Sequence, residues 1–131
     1  MIYILTGVDI VKTDRIGIIL NGRKDSFYKR IFTEGEIKYL ESKKNDYKTV
    51  SGLFAAKEAI SKVLGTGIGE ISWKDMEIYH DCNGRPKVNL SQKVQPLLER
   101  LKINHIEISI SHEEEYAIAF AVGFHNLYSS I

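Results

Sequence analysis

A chain of 131 residues holds one domain with a real core and is short for two. Its 44 % hydrophobic and 27 % charged content is that of a soluble globular protein, and a net charge of +1 gives no bulk electrostatic case for nucleic acid. Cys82 is the single cysteine, which excludes an internal disulfide and a thiolate zinc site. The apolar start, Met1 to Gly7, is short, lacks a basic leader and runs into Asp9, so it does not read as a signal peptide. No stretch approaches transmembrane length, and a reducing cytoplasmic location is expected.

Residues 2–8 are β-rich and nearly all apolar, which predicts a buried strand ending near Asp9. Lys12 to Leu20 reads as a short helix with Asp14 in its first turn, stopped by Asn21-Gly22. Thr33 and Glu36 match a capping box, opening a short helix to Ser42. Lys43 to Lys48 is a polar loop, after which Thr49 is placed to cap a long helix over 50–64. Gly65 and Gly67 suit the end of that helix. Residues 76–81 and 86–89 read as strands joined at Asn83-Gly84, a type I′ hairpin signal. Ser91 to Leu101 is helical, with Pro96 either delaying its start or kinking it.

Two strands close the chain, with an acidic turn of Glu113, Glu114 and Glu115 between them. In the first, Ile106, Ile108 and Ile110 alternate with polar residues. In the second, Tyr116, Ile118, Phe120 and Val122 alternate with Ala117, Ala119, Ala121 and Gly123. That leaves one face almost bare, so a helix or another subunit can approach closely. With no linker, repeat or low-complexity segment, residues 1–131 are expected to form a single α+β domain: an antiparallel sheet packed with one long and several short helices.

The long helix carries the most chemistry. On a wheel of about 100° per residue, Lys62, Ser61, Ala55, Phe54, Ser51 and Gly65 fall on the Glu58 side. Leu53, Ala56, Ile60, Val63 and Leu64 fall opposite as a core stripe. Glu58 and Lys62 stand at i, i+4, the spacing of an ordinary surface pair. Set among small residues, they also have room to meet a ligand separately. Asp9, after an apolar strand, is either a helix cap or a functional acid. If Asp9 and Glu58 converge, they offer the one or two carboxylates that magnesium takes beside waters and substrate phosphates.

Gly65, Gly67 and Gly69 follow their helix, whereas a phosphate loop precedes its own, so capping is the local reading. His112 ends a strand, where side chains are commonly presented to ligands, although a lone histidine is more often structural. His80, His105 and His125 lie in uninformative contexts. Local basic clusters (Lys12 with Arg15, Arg23 with Lys24, and Lys43, Lys44 and Lys48) are either solvated faces or contacts for an acidic or phosphate-bearing partner.

Taken together, Gly7-Val8-Asp9-Ile10-Val11, Phe54-Ala55-Ala56-Lys57-Glu58-Ala59-Ile60-Ser61-Lys62 with its following Gly65-Thr66-Gly67, Asn83-Gly84-Arg85-Pro86, and Ser109-Ile110-Ser111-His112-Glu113 resemble the holo-acyl-carrier-protein synthase family. This is the small, single-domain class of 4′-phosphopantetheinyl transferases, and order and spacing agree over nearly the whole chain. The resemblance implies transfer of 4′-phosphopantetheine from coenzyme A to a serine of apo acyl carrier protein, releasing adenosine 3′,5′-bisphosphate, in fatty acid biosynthesis. It implies Mg²⁺ held by Asp9 and Glu58, and catalytic work by Glu58, Lys62 and His112. It places the coenzyme A substrate against Lys62, Gly65, Pro86 and His112, and acyl carrier protein against Arg15 and Arg23. A homotrimer with active sites between subunits is also implied.

The chemistry suits these residues. A P–O bond breaks as the serine oxygen attacks, and Lys62 is placed to take charge on the leaving phosphate. The serine's proton goes to Glu58, to a metal-bound water or to His112. Relatives often carry an arginine where this chain has Leu53, which leaves Lys43, Lys44 and Lys48 as candidates for that phosphate contact. Two rival readings stand beside the enzyme: a non-catalytic trimeric module binding acidic partners, and a magnesium-dependent phosphohydrolase.

Overall fold

The computed structural model describes residues 4–65 and 69–128. The readings of residues 2 and 3 as strand, and of Thr66 and Gly67 as part of the helix end, lie outside the described residues. In chain order the elements are β1 (Ile4–Lys12), α1 (Thr13–Ile31), α2 (Glu34–Ser42), α3 (Tyr47–Leu64), a 3₁₀ turn (Trp73–Asp75), β2 (Met76–His80), β3 (Pro86–Leu90), a second 3₁₀ turn (Gln92–Val94), α4 (Gln95–Leu101), β4 (His105–His112) and β5 (Tyr116–Phe124). The antiparallel sheet β1-β5-β4 lies against α3, and β2-β3 form a separate hairpin. This is the expected α+β architecture, except that two helices rather than one are long: α1 has 19 residues, broken at Arg23, and α3 has 18.

The bare face of β5 is what admits α3. Ala117, Ala119 and Ala121 are buried under it, and a Cβ on Gly123 would stand 2.7 Å from Val63 Cγ1. The same demand reaches β1, where a Cβ on Gly7 would meet the Ala59 carbonyl oxygen at 2.1 Å. Alternation along β1 follows from this: Gly7 and Val11 are buried inward and Asp9 half-buried with them, while Ile4, Val8 and Ile10 are exposed. The expectation of a strand buried on both faces and ending near Asp9 is therefore corrected. β1 is one-sided and continues to Lys12, with Asp9 paired to Ala119 in mid-strand. Asp9 caps no helix; Lys12 holds the N-cap position of α1 without a side-chain bond.

Three other local expectations give way to tertiary context. The Asn21-Gly22 stop holds only in part: helical geometry breaks beside it, at Arg23 (φ −140°, ψ 35°), but a second helical stretch follows at once and runs to Ile31. A helical glycine costs only about 1 kcal/mol relative to alanine. Burial of Tyr28 and Ile31, and of Phe27 against Phe54, outweighs it. Asp46, not Thr49, caps α3: its carboxylate accepts from the Thr49 amide (3.4 Å) and the Thr49 hydroxyl (3.2 Å). The β2-β3 hairpin forms, but not through a two-residue type I′ turn. Gly84 is at φ 79° and Asn83 is not left-handed. The Asp81 carboxylate accepts from the amides of Asn83 and Arg85, both at 2.9 Å, and so organises a longer loop.

Elsewhere local chemistry prevails. The Thr33 hydroxyl accepts from the Glu36 amide at 3.2 Å, and the Glu36 carboxylate accepts from the Thr33 amide at 2.9 Å. Gly65 ends α3 in the left-handed region at φ 75°. Pro96 delays the last helix, which starts at Gln95 after the 3₁₀ turn.

Candidate active site

α3 is buried nearly all round, so the small-residue face on its Glu58 side is not open. Ser51, Phe54, Ala55 and Ser61 are all buried. The room they leave is taken by the sheet: Gly7 sits against Ala59, and a Cβ on Gly52 would meet Ile110 Cγ2 at 2.9 Å. Close approach of β1 brings Asp9 to the last turns of α3. There the Lys62 ammonium donates to the Val8 carbonyl at 2.7 Å and to Asp9 Oδ1 at 3.3 Å. No hydrogen bond or ion pair joins Lys62 to Glu58 among the described residues, so the i, i+4 surface pair does not form.

Glu58 is half-buried, and its carboxyl is pushed above the ordinary range, first by burial and then by the negative charge of Asp9. Lys62 and Arg15 act in the opposite sense. Asp9, Glu58, Lys62 and Arg15 thus share one electrostatic neighbourhood. Two carboxylates held close enough to repel make a natural seat for a divalent cation. No group of three or more metal-ligating side chains occurs among the described residues. A fully protein-bound ion such as zinc is poorly served, whereas a hard ion completed by phosphate oxygens and water fits.

Glu58 opens onto a cleft of about 480 Å³ whose other wall is α1. Phe27, Phe54 and Trp73 supply apolar lining; Arg15, Arg23 and Arg30 supply positive charge. Arg15 and Arg23 were expected to meet a partner; Arg30 was not singled out. It lies beyond the break at Arg23, so no unbroken helical period links it to Arg15, and only the folded chain brings it to the cleft.

His112 and Pro86 lie elsewhere. They line a second, smaller pocket of about 170 Å³ with Gly84, His80 and Tyr39, and among the described residues it shares no lining residue with the cleft. Tyr39 and His80 are stacked, with ring centroids 4.2 Å apart and planes 14° from parallel. Lys43 stands 5.7 Å from the Tyr39 centroid. Lys48 pairs instead with Glu114 at 3.3 Å, and Leu53 is in the core. Gly65 lines neither pocket. The chain thus divides the expected site residues into a carboxylate–lysine group and a histidine–aromatic group.

Two carboxylates, an ammonium and an arginine-lined cleft are the equipment of an enzyme that moves a phosphate-bearing group. Comparison with known proteins gives that class a family. Residues 6–121 match the family described as the 4′-phosphopantetheinyl transferase superfamily. The chain is 45 % identical over 125 residues to the holo-[acyl-carrier-protein] synthase of Caldanaerobacter subterraneus, covering 94 % of this chain and 98 % of that one. It is 47 % identical over 116 residues to that of Caldicellulosiruptor saccharolyticus, covering 88 % and 92 %. The Helicobacter pylori holo-[acyl-carrier-protein] synthase, solved in complex with coenzyme A, is similar in structure at a TM-score of 0.80 and 33 % identity, covering 91 % and 99 %. The chain belongs to the 4′-phosphopantetheinyl transferase superfamily.

Proposed function

We propose that this chain is a holo-acyl-carrier-protein synthase, a single transferase domain that moves 4′-phosphopantetheine from coenzyme A to a serine of apo acyl carrier protein. The observation that carries the reading is the meeting of Asp9, Lys62 and Glu58 at the contact of β1 with α3. These residues come from segments some fifty positions apart. The solved relatives from Helicobacter pylori and Bacillus anthracis, at 33 % and 34 % identity, are described as complexes with coenzyme A. That supports the same donor here.

Asp9 and Glu58 would hold Mg²⁺, which when bound offsets charge on the diphosphate. Lys62, tied among the described residues to the Val8 carbonyl and to one oxygen of Asp9 and still half exposed, can donate to a leaving phosphate. Arg15, Arg23 and Arg30 line the cleft beside Glu58 and give an acidic carrier protein its approach. The Tyr39–His80 stack offers an apolar surface, and Lys43 a cation, to the nucleotide end of coenzyme A beside His112 and Pro86.

The two groups of residues become one site between copies of the chain. The outer face of the sheet exposes Ile4, Val8 and Ile10 of β1 and Ile118 and Phe120 of β5, an apolar patch of the kind that marks a subunit interface. A homotrimer built on that face would set the His112 pocket of one copy near the Glu58 cleft of the next. No described helix is long and apolar enough to cross a membrane, and a cytoplasmic enzyme accords with that.

The test is direct. The protein is mixed with coenzyme A, Mg²⁺ and apo carrier protein, and the carrier's mass is followed. The phosphopantetheine adduct is expected. Hydrolysis of coenzyme A without adduct would favour a phosphohydrolase, and inertness a binding module.

A further inference from the structure

Lys57 precedes Glu58 in sequence but points the other way, into the protein, with its side chain 0 % exposed. Its ammonium is 2.7 Å from Glu36 Oε1 and donates to the carbonyls of Ile31 (3.0 Å), Trp73 (2.9 Å) and Met76 (2.8 Å). Glu36 is itself fully buried; it also accepts from the Thr33 amide at 2.9 Å and the Ile78 amide at 2.8 Å. A buried ammonium is tolerated only when its donors are met and its charge is paired, and both conditions hold.

The identity of the acceptors matters more than their number. Ile31 ends α1, Trp73 belongs to the 3₁₀ turn, and Met76 opens β2. Ile31 and Trp73 both line the cleft onto which Glu58 opens. One side chain on α3 therefore ties two walls of that cleft to the backbone next to Glu58. Apolar contacts such as Phe54 with Trp73, centroids 5.7 Å apart, are not directional and let walls slide. Charge-assisted hydrogen bonds to main-chain carbonyls fix position as well as proximity.

We propose that Lys57, held by Glu36, is a positioning residue for the transfer, fixing the carrier-protein side of the cleft relative to Glu58. This rests on the reading of the cleft as the place where carrier protein meets the enzyme. Displacement of a reacting group by about an ångström is enough to cost about a hundredfold in rate. Loss of Lys57 is thus felt first at the cleft, two of whose lining residues accept from it directly; the His112–Pro86 pocket is reached only at a remove, through the strand that carries Met76, Ile78 and His80.

The experiment uses the whole protein with Mg²⁺, varying carrier protein at saturating coenzyme A and then the reverse. Lys57→Met is expected to raise KM for carrier protein about tenfold and to lower kcat, with KM for coenzyme A within about twofold of wild type. Acrylamide quenching of Trp73, the only tryptophan, is expected to rise at a temperature where circular dichroism shows full folding. Unchanged KM values, with kcat falling only in proportion to the folded fraction, would overturn the proposal. If Lys57→Met does not fold, Glu36→Gln decides. A KM for carrier protein raised about threefold supports the proposal, and an unchanged one refutes it. A wild-type protein without transfer activity would remove the functional reading instead. Trp73 quenching would then decide whether Lys57 holds the wall, a rise supporting it and no change refuting it.

Discussion

Lys57 and Lys62 stand five residues apart on one helix, and each is ion-paired with a carboxylate from another segment. Lys57 and Glu36 are 2.7 Å apart with both side chains 0 % exposed. Lys62 and Asp9 are 3.3 Å apart, at 54 % and 19 %. The buried lysine is saturated: three carbonyls and a carboxylate surround it, and nothing is left for a ligand. Among the described residues the exposed one has one close carbonyl and one loose carboxylate oxygen, and its side chain stays 54 % exposed. The same side chain serves as a structural tie where water is excluded and as a reagent where water is admitted. The motif contains both, and burial sorts them.

Substitution sharpens the contrast, beginning with the largest effect. Lys57→Met strips the buried pair of its cation and leaves Glu36 charged in the core. A stability loss of about 3–5 kcal/mol is expected in urea titration. Lys62→Met should cost less than about 1 kcal/mol by the same titration, since exposed pairs contribute little. It should nevertheless lower kcat by about a hundredfold. If both variants lost stability equally, the distinction between tie and reagent would collapse.

Arg15→Glu moves outward to the rim of the cleft. It should raise KM for carrier protein by about tenfold and leave KM for coenzyme A nearly unchanged. Equal effects on both would detach Arg15 from docking.

The smallest effect concerns Glu58 and pH. Its folded-state carboxyl is raised above 4.5 by burial and by Asp9. The folded protein then holds that proton more tightly than the unfolded chain. Stability from this group is present below pH 4.5 and is lost as pH rises through the folded-state value. Without divalent cation, Glu58→Gln should therefore melt slightly above wild type at pH 7. The gap should close as the pH falls towards 4.5. A gap independent of pH would show that ionisation of Glu58 is not its cause.

Several features were legible because they depend on neighbours in sequence. Thr33 and Glu36 form their capping box, Gly65 ends its helix, and Pro96 delays the next. The alanine face of β5 announced a close-packed neighbour, and α3 is that neighbour. The misreadings share one cause. Asn21-Gly22 does interrupt the helix, at Arg23, but burial of Tyr28 and Ile31 beyond it starts a second helical stretch. Thr49 and Asp46 are both good caps, and the start of α3 at Tyr47 selected Asp46. Burial of Lys57 is not legible in the sequence, because a lysine in a helix reads as exposed unless its acceptors, 16 to 26 residues away, are known.

The sequence by itself determined that Glu58 and Lys62 share a side of one helix and that Ala117, Ala119, Ala121 and Gly123 share a strand face. Helical and strand periods are properties of the backbone and need no distant partner. Only the tertiary structure decided that Lys62 turns to Asp9 rather than Glu58. It also decided that Lys57 is buried and that His112 and Glu58 open onto different pockets. Those outcomes depend on which segments approach most closely, and here the side-chain-free surface at Gly7 let β1 settle against α3.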